Sequence, residues 1–131
     1  MKSILAIIRM NKIQATKEAL VNAGFPGFNA VKVAGRGQQA LDAEVIQALN
    51  NHPEDTNEVL PLLAHCPRLI PKRLVSLVVP DEQVSRAVDT LIQANQTGNS
   101  GDGKIFVLPV FDSVRVRTGE VGRVAVDEMT G

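Results

Sequence analysis

A chain of 131 residues with 44% apolar content is long enough to bury one self-supporting core, so a single domain over residues 1–131 is expected. Fourteen acidic and fourteen basic side chains cancel to a formal net charge of zero, and aromatics are 3% with no Trp or Tyr, which argues against both electrostatic capture and base stacking of nucleic acid. No apolar run of 18 residues or secretory leader pattern is present, and the single Cys66 has no internal disulfide partner; the expectation is a cytoplasmic protein with no membrane insertion.

Ser3 to Arg9 is a nearly continuous apolar run and predicts a strand covered by helices on one face and by a second layer or a partner on the other. Asn11 with Gln14 three residues on has capping-box spacing, and Ile13, Thr16, Leu20 and Ala23 form one inward helical face that Gly24 ends. After the turn Phe25-Pro26-Gly27, Phe28 to Val33 predicts a second strand. Arg73 to Val79 predicts a third, ended by Pro80, with Asp81 capping a helix. In that helix Val84, Ala87, Val88, Leu91 and Ile92 give the strongest periodicity in the chain. Ile105 to Val110 and Val114 to Val116 predict a last strand bent near Pro109. Strand, helix, strand, insertion, strand, helix, strand is the α+β split βαβ, or ferredoxin-like, order. Two helices cover only one face of a four-stranded sheet, so another subunit is the economical cover for the other.

The insertion, about residues 36–72, is too long for a simple connection. Leu41, Val45, Ile46 and Leu49 suit a short amphipathic helix, and Val59, Leu60, Leu62 and Leu63 form a second apolar cluster; they either fold back on the domain or form a mobile arm completed by a partner protein. His52, His65 and Cys66 lie here without the spacing of a metal or thiol site.

Gln96 to Lys104 carries Gly98, Gly101 and Gly103. Such a loop is either an ordinary helix-to-strand connection or a phosphate cradle whose amide N–H groups converge on an anion. Because it follows a helix C-terminus, whose dipole repels phosphate, a cradle needs fixed cations. Lys104, Arg115 and Arg117 would supply them, the two arginines emerging on one face of the expected last strand. Gly35-Arg36-Gly37 is either a strand exit or a ligand contact, and matches neither a dinucleotide fingerprint nor a Walker A loop. The acidic residues form no pair placed for acid–base catalysis, so no catalytic residues are expected.

Along almost its whole length the chain resembles the PII signal-transduction family. Ser3 to Arg9, Gly35-x-Gly37-x-Gln39, Pro71-Lys72, Val78-Val79-Pro80-Asp81, Gln96-Thr-Gly98, Gly101-Asp-Gly-Lys-Ile-Phe-Val107 and Arg115-x-Arg117-Thr-Gly-Glu120 stand in family order. The resemblance implies a trimer of ferredoxin-like domains that binds ATP or ADP between subunits and senses 2-oxoglutarate beside Mg-ATP, without enzymatic activity. It implies that Gly101, Asp102, Gly103, Lys104, Arg115 and Arg117 hold phosphates, that Asn29 and Val78 line the base pocket, that Gly35, Gly37 and Gln39 lie at the phosphates with Gln39 at Mg²⁺, and that Gln39 and Lys72 meet 2-oxoglutarate. The insertion stands at the family's T-loop but is longer. No Tyr is available for uridylylation, Gln38 stands for a common arginine and Ser76 for a common glutamate. Arg9-Met10-Asn11 and Pro67 to Arg73 look like the second member of the nitrogenase-associated PII-like pair. That implies direct, reversible inhibition of dinitrogenase (nitrogenase component 1) when ammonium is plentiful, together with a paralogous PII-like protein in a homo- or hetero-oligomer. The alternatives are a general regulator of an ammonium transporter or nitrogen-assimilation enzyme, a small enzyme acting on a phosphorylated metabolite, and a purely structural module.

Overall fold

The computed structural model of the protein describes residues 1–37 and 69–126. Gln38, Gln39, both histidines, Cys66 and the two apolar clusters of the insertion lie outside the described residues. In chain order the elements are β1 (Lys2–Arg9), α1 (Ile13–Asn22), β2 (Asn29–Gly35), β3 (Ile70–Val79), α2 (Val84–Asn95), β4 (Lys104–Pro109) and a one-turn α3 (Arg123–Val126). The strands form one antiparallel sheet in the order β2-β3-β1-β4, which is the ferredoxin-like arrangement.

The two faces of that sheet differ. Ile4, Ala6 and Ile8 of β1 and Val75, Leu77 and Val79 of β3 alternate onto the helix side, where they pack with Leu20 of α1 and Ala87 and Leu91 of α2 as the buried core. The intervening residues face the other way. There Phe106, Leu108 and Val31 remain 45%, 41% and 52% exposed, an apolar surface that nothing among the described residues buries. The helices are joined by a buried polar clasp in which Asn95 donates to the Thr16 hydroxyl at 3.0 Å and to the Leu91 carbonyl at 2.9 Å. Both groups are thus satisfied within the apolar layer.

Several local expectations change. α1 starts through a 3₁₀ turn at Met10–Lys12, with Lys12 rather than Asn11 at the capping position and no side-chain cap. Its end is as expected: Gly24 at φ +89° lets the Phe25 and Gly24 amides return to the Leu20 and Val21 carbonyls, a Schellman closure. Asp81 does not cap α2 either. The β1–β3 register places Met1 beside it, and its carboxylate pairs with the N-terminal ammonium at 2.9 Å and Lys2 at 3.2 Å. Ile92 is 41% exposed on the flank of α2, while Asn95 takes the inward place one turn later. The β2–β3 ladder extends to Gly35 opposite Ile70, so Pro71 and Lys72 are strand residues and not part of the insertion.

The largest correction concerns the last strand. β4 stops at Pro109, and Val114 makes one isolated bridge, to Val121, so Val114 to Val116 is not a strand. Proline lacks the amide that would continue the ladder, and Gly119 and Gly122 at φ +75° and +74° reverse the chain over so short a span that only a turn fits.

Candidate functional site

The residues singled out from sequence fall into two groups at opposite ends of the sheet. At the first end, the loop from Gln96 to Gly103 joins α2 to β4 and is held from several directions. Gly98, Gly101 and Gly103 all have positive φ. For Gly103 the requirement is also spatial, because a Cβ would stand 1.9 Å from the Ile7 carbonyl oxygen. Asp102 turns back on the loop and accepts hydrogen bonds from the Thr97 amide (2.7 Å), the Gly98 amide (2.9 Å) and the Thr97 hydroxyl. Partial burial opposes its ionisation, but these donors and the Arg9 charge outweigh that and hold the carboxyl at about 2. The Asp102 carboxylate is therefore a brace inside the loop.

Two buried cations complete this end. Arg9 and Lys72 face each other in register on β1 and β3. Arg9 donates through Nη2 to the Ser100 carbonyl at 2.9 Å and lies 3.5 Å from Asp102 Oδ1, while Lys72 Nζ donates to the Gly101 carbonyl at 3.0 Å. A trans peptide sets its N–H opposite its C=O, so turning these two carbonyls inward turns the Gly101 and Asp102 amides outward. Outward amides of this kind set partial positive charge against the negative end of α2. Lys104 sits exposed at the head of β4, and a Cβ at Gly35 or Gly37 would meet nothing within 4 Å. Neither of those two glycines has a positive φ, so open backbone there is not demanded by the chain itself. It fits close approach by a polyphosphate.

At the second end, Asn29 lies opposite Ser76, and both line a pocket of about 340 Å³ with Ser3, Val78 and Ser113. Arg115 and Arg117 follow in the chain reversal beyond Pro109. Arg115 pairs with Glu120 at 3.0 Å and donates to the Val124 carbonyl at 3.0 Å; its amide and carbonyl close the turn with Glu120 and Gly119. Thr118 hydrogen bonding and the Arg115 charge together hold the Glu120 carboxyl below its usual range. Arg117 is exposed on the turn. The two guanidiniums thus do not share a strand face.

Nor do they meet Lys104 within one chain. Lys104 is opposite Ile7 and Pro109 opposite Lys2, so β4 alone separates the glycine loop from the arginine segment by about 17 Å. Gln39, expected at the metal, is outside the described residues, and among those described no group of three His, Cys, Asp or Glu is arranged to hold an ion. Sequence reasoning missed Arg9 as a site residue, because its partners lie 91 and 93 positions away and only the β1–β3–β4 register unites them.

Residues 1–120 match the family described as nitrogen regulatory protein P-II. The chain is 50% identical over 127 residues to the nitrogen fixation nifHD region GlnB-like protein 2 of Methanobacterium ivanovii, covering 96% of this chain and 99% of that one. It is 42% identical over 132 residues to the protein of the same description from Methanococcus maripaludis, covering 96% and 100%. Among solved structures, the crystal structure of Arabidopsis thaliana PII bound to citrate superposes with a TM-score of 0.69 at 32% identity, over 95% of this chain and 88% of that one.

Proposed function

Because the chain belongs to the P-II nitrogen regulatory protein family, whose members are signalling proteins and not enzymes, we propose that it reports adenine-nucleotide and 2-oxoglutarate levels to the nitrogen-fixing machinery. The observation that carries this reading is the division of the candidate residues. Gly35, Gly37, Lys72 and Gly101 to Lys104 occupy one end of the sheet, and Asn29, Val78, Arg115 and Arg117 the other. A nucleotide joining them needs two chains facing each other, and the open apolar sheet surface is what such an assembly, a trimer with clefts between subunits, would bury.

In that cleft the outward amides of the glycine loop and Lys104 receive the phosphates from one chain, and Arg115 and Arg117 close over them from its neighbour. Asn29 and Val78 hold the base. Gln39 serves Mg²⁺ through the ATP phosphates, and Gln39 with Lys72 takes 2-oxoglutarate. Citrate bound to the Arabidopsis relative supports a polycarboxylate at this fold. Lys72 already serves the Gly101 carbonyl, so a carboxylate competes for it, while Gln39 at the root of the long insertion couples metal-bound ATP to the direction in which the arm leaves. The insertion is the arm that binds dinitrogenase directly and reversibly, in the cytoplasm, alongside the paralogous PII-like protein; no helix among the described residues is long and apolar enough to cross a membrane. Calorimetry with Mg-ATP, with and without 2-oxoglutarate, followed by dinitrogenase inhibition assays with the paralogue, tests this. ATP binding strengthened by 2-oxoglutarate and relief of inhibition by the two together are expected; no heat at millimolar nucleotide would overturn the reading.

A further inference from the structure

We propose that Arg9 is a positioning residue for the phosphate loop: it holds the Ser100 carbonyl inward, so that the Gly101 amide stays presented to an anion even when Lys72 leaves for a carboxylate. This rests on the nucleotide reading above. The two buried cations look redundant but fix different peptide planes, Arg9 the one between Ser100 and Gly101 and Lys72 the one between Gly101 and Asp102. Arg9 is 7% exposed, and the same Nη2 that reaches Ser100 faces the Asp102 carboxylate, which braces Thr97 and Gly98. It therefore couples the two halves of the loop, Thr97–Gly98 and Ser100–Asp102, through one rigid planar group. Lys72 reaches the Gly101 carbonyl with a point-charge ammonium on a flexible stem, whereas Arg9 offers a rigid planar fork, so Lys72 is the member of the pair that a competing anion draws off. When it goes, the loop retains Arg9.

The test compares wild type with R9Q, R9K and, as a stability control remote from the loop, T16A, which removes the hydroxyl of the α1–α2 clasp. Loss of a charge-assisted hydrogen bond to the loop predicts that R9Q weakens Mg-ATP binding about tenfold by calorimetry, and by a larger factor when 2-oxoglutarate occupies Lys72. Amide hydrogen exchange at Thr97 and Gly98 quickens in R9Q, and R9K, which keeps the charge, retains part of the affinity. T16A lowers the melting temperature without changing the Kd. An R9Q Kd equal to wild type, or a T16A loss as large as that of R9Q, overturns the inference and leaves the nucleotide reading standing. A wild type that binds no nucleotide overturns both.

Discussion

The two ends of the sheet carry opposite designs. Around the glycine loop the chain holds several peptide planes from inside, with Arg9 at Ser100, Lys72 at Gly101 and Asp102 at Thr97, while the Ile7 carbonyl leaves no room for a Cβ at Gly103. Around Arg115 it uses a few turn contacts, and leaves Phe111 and Val116 fully exposed. One group of candidate residues is thus braced within the chain, whereas the other sits on a turn with exposed apolar neighbours.

A glycine series separates the two ends most strongly. Gly103→Ala puts a methyl into the Ile7 carbonyl at φ +115° and is expected to cost about 3 kcal/mol in denaturant unfolding. Gly119→Ala, at φ +75° with open space around it, is expected to cost about 1 kcal/mol. Gly37→Ala has neither strain nor obstruction and should stay within about 0.5 kcal/mol while weakening nucleotide binding. Equal stability losses at Gly103 and Gly119 would remove the distinction between a locked end and a loose one.

How much of this was legible in the sequence follows from how local each feature is. Thr16 and Leu20 in α1, and Ala87 and Leu91 in α2, are buried as their helical spacing requires, and Gly24 stops α1 as expected. The glycine loop announced itself through composition. Val114 to Val116 has β-branched residues in strand-like alternation, but Pro109 and the two downstream glycines outweigh that preference. Arg9 and Asp81 were misjudged for a different reason: their partners are set by strand register, which brings Ser100 and the N-terminal ammonium to them across most of the chain. Family motifs named the candidate residues, and only the sheet shows that they divide between its ends.

Acid provides a smaller and more local test. Asp102 is depressed in the folded chain, so its contribution to the loop is complete above its ordinary value of 3.8 and is lost as pH falls through about 2. Thr97 and Gly98 amide protection should therefore persist across that window and disappear near its lower limit. Loss of protection already at pH 4 would show that the brace is weaker than the geometry indicates.

If one nucleotide site draws on two copies of the chain, variants lacking opposite halves complement each other when mixed. Lys104→Gln and Arg115→Gln each remove one of the cations proposed for the phosphates, but from opposite ends of the sheet, and each chain keeps the half the other lacks. Each variant alone is expected to bind ATP poorly, and the two co-expressed should regain a fraction of sites with wild-type Kd. Co-expressed chains that bind no better than either variant alone would place both residues in a site within a single chain and contradict the account.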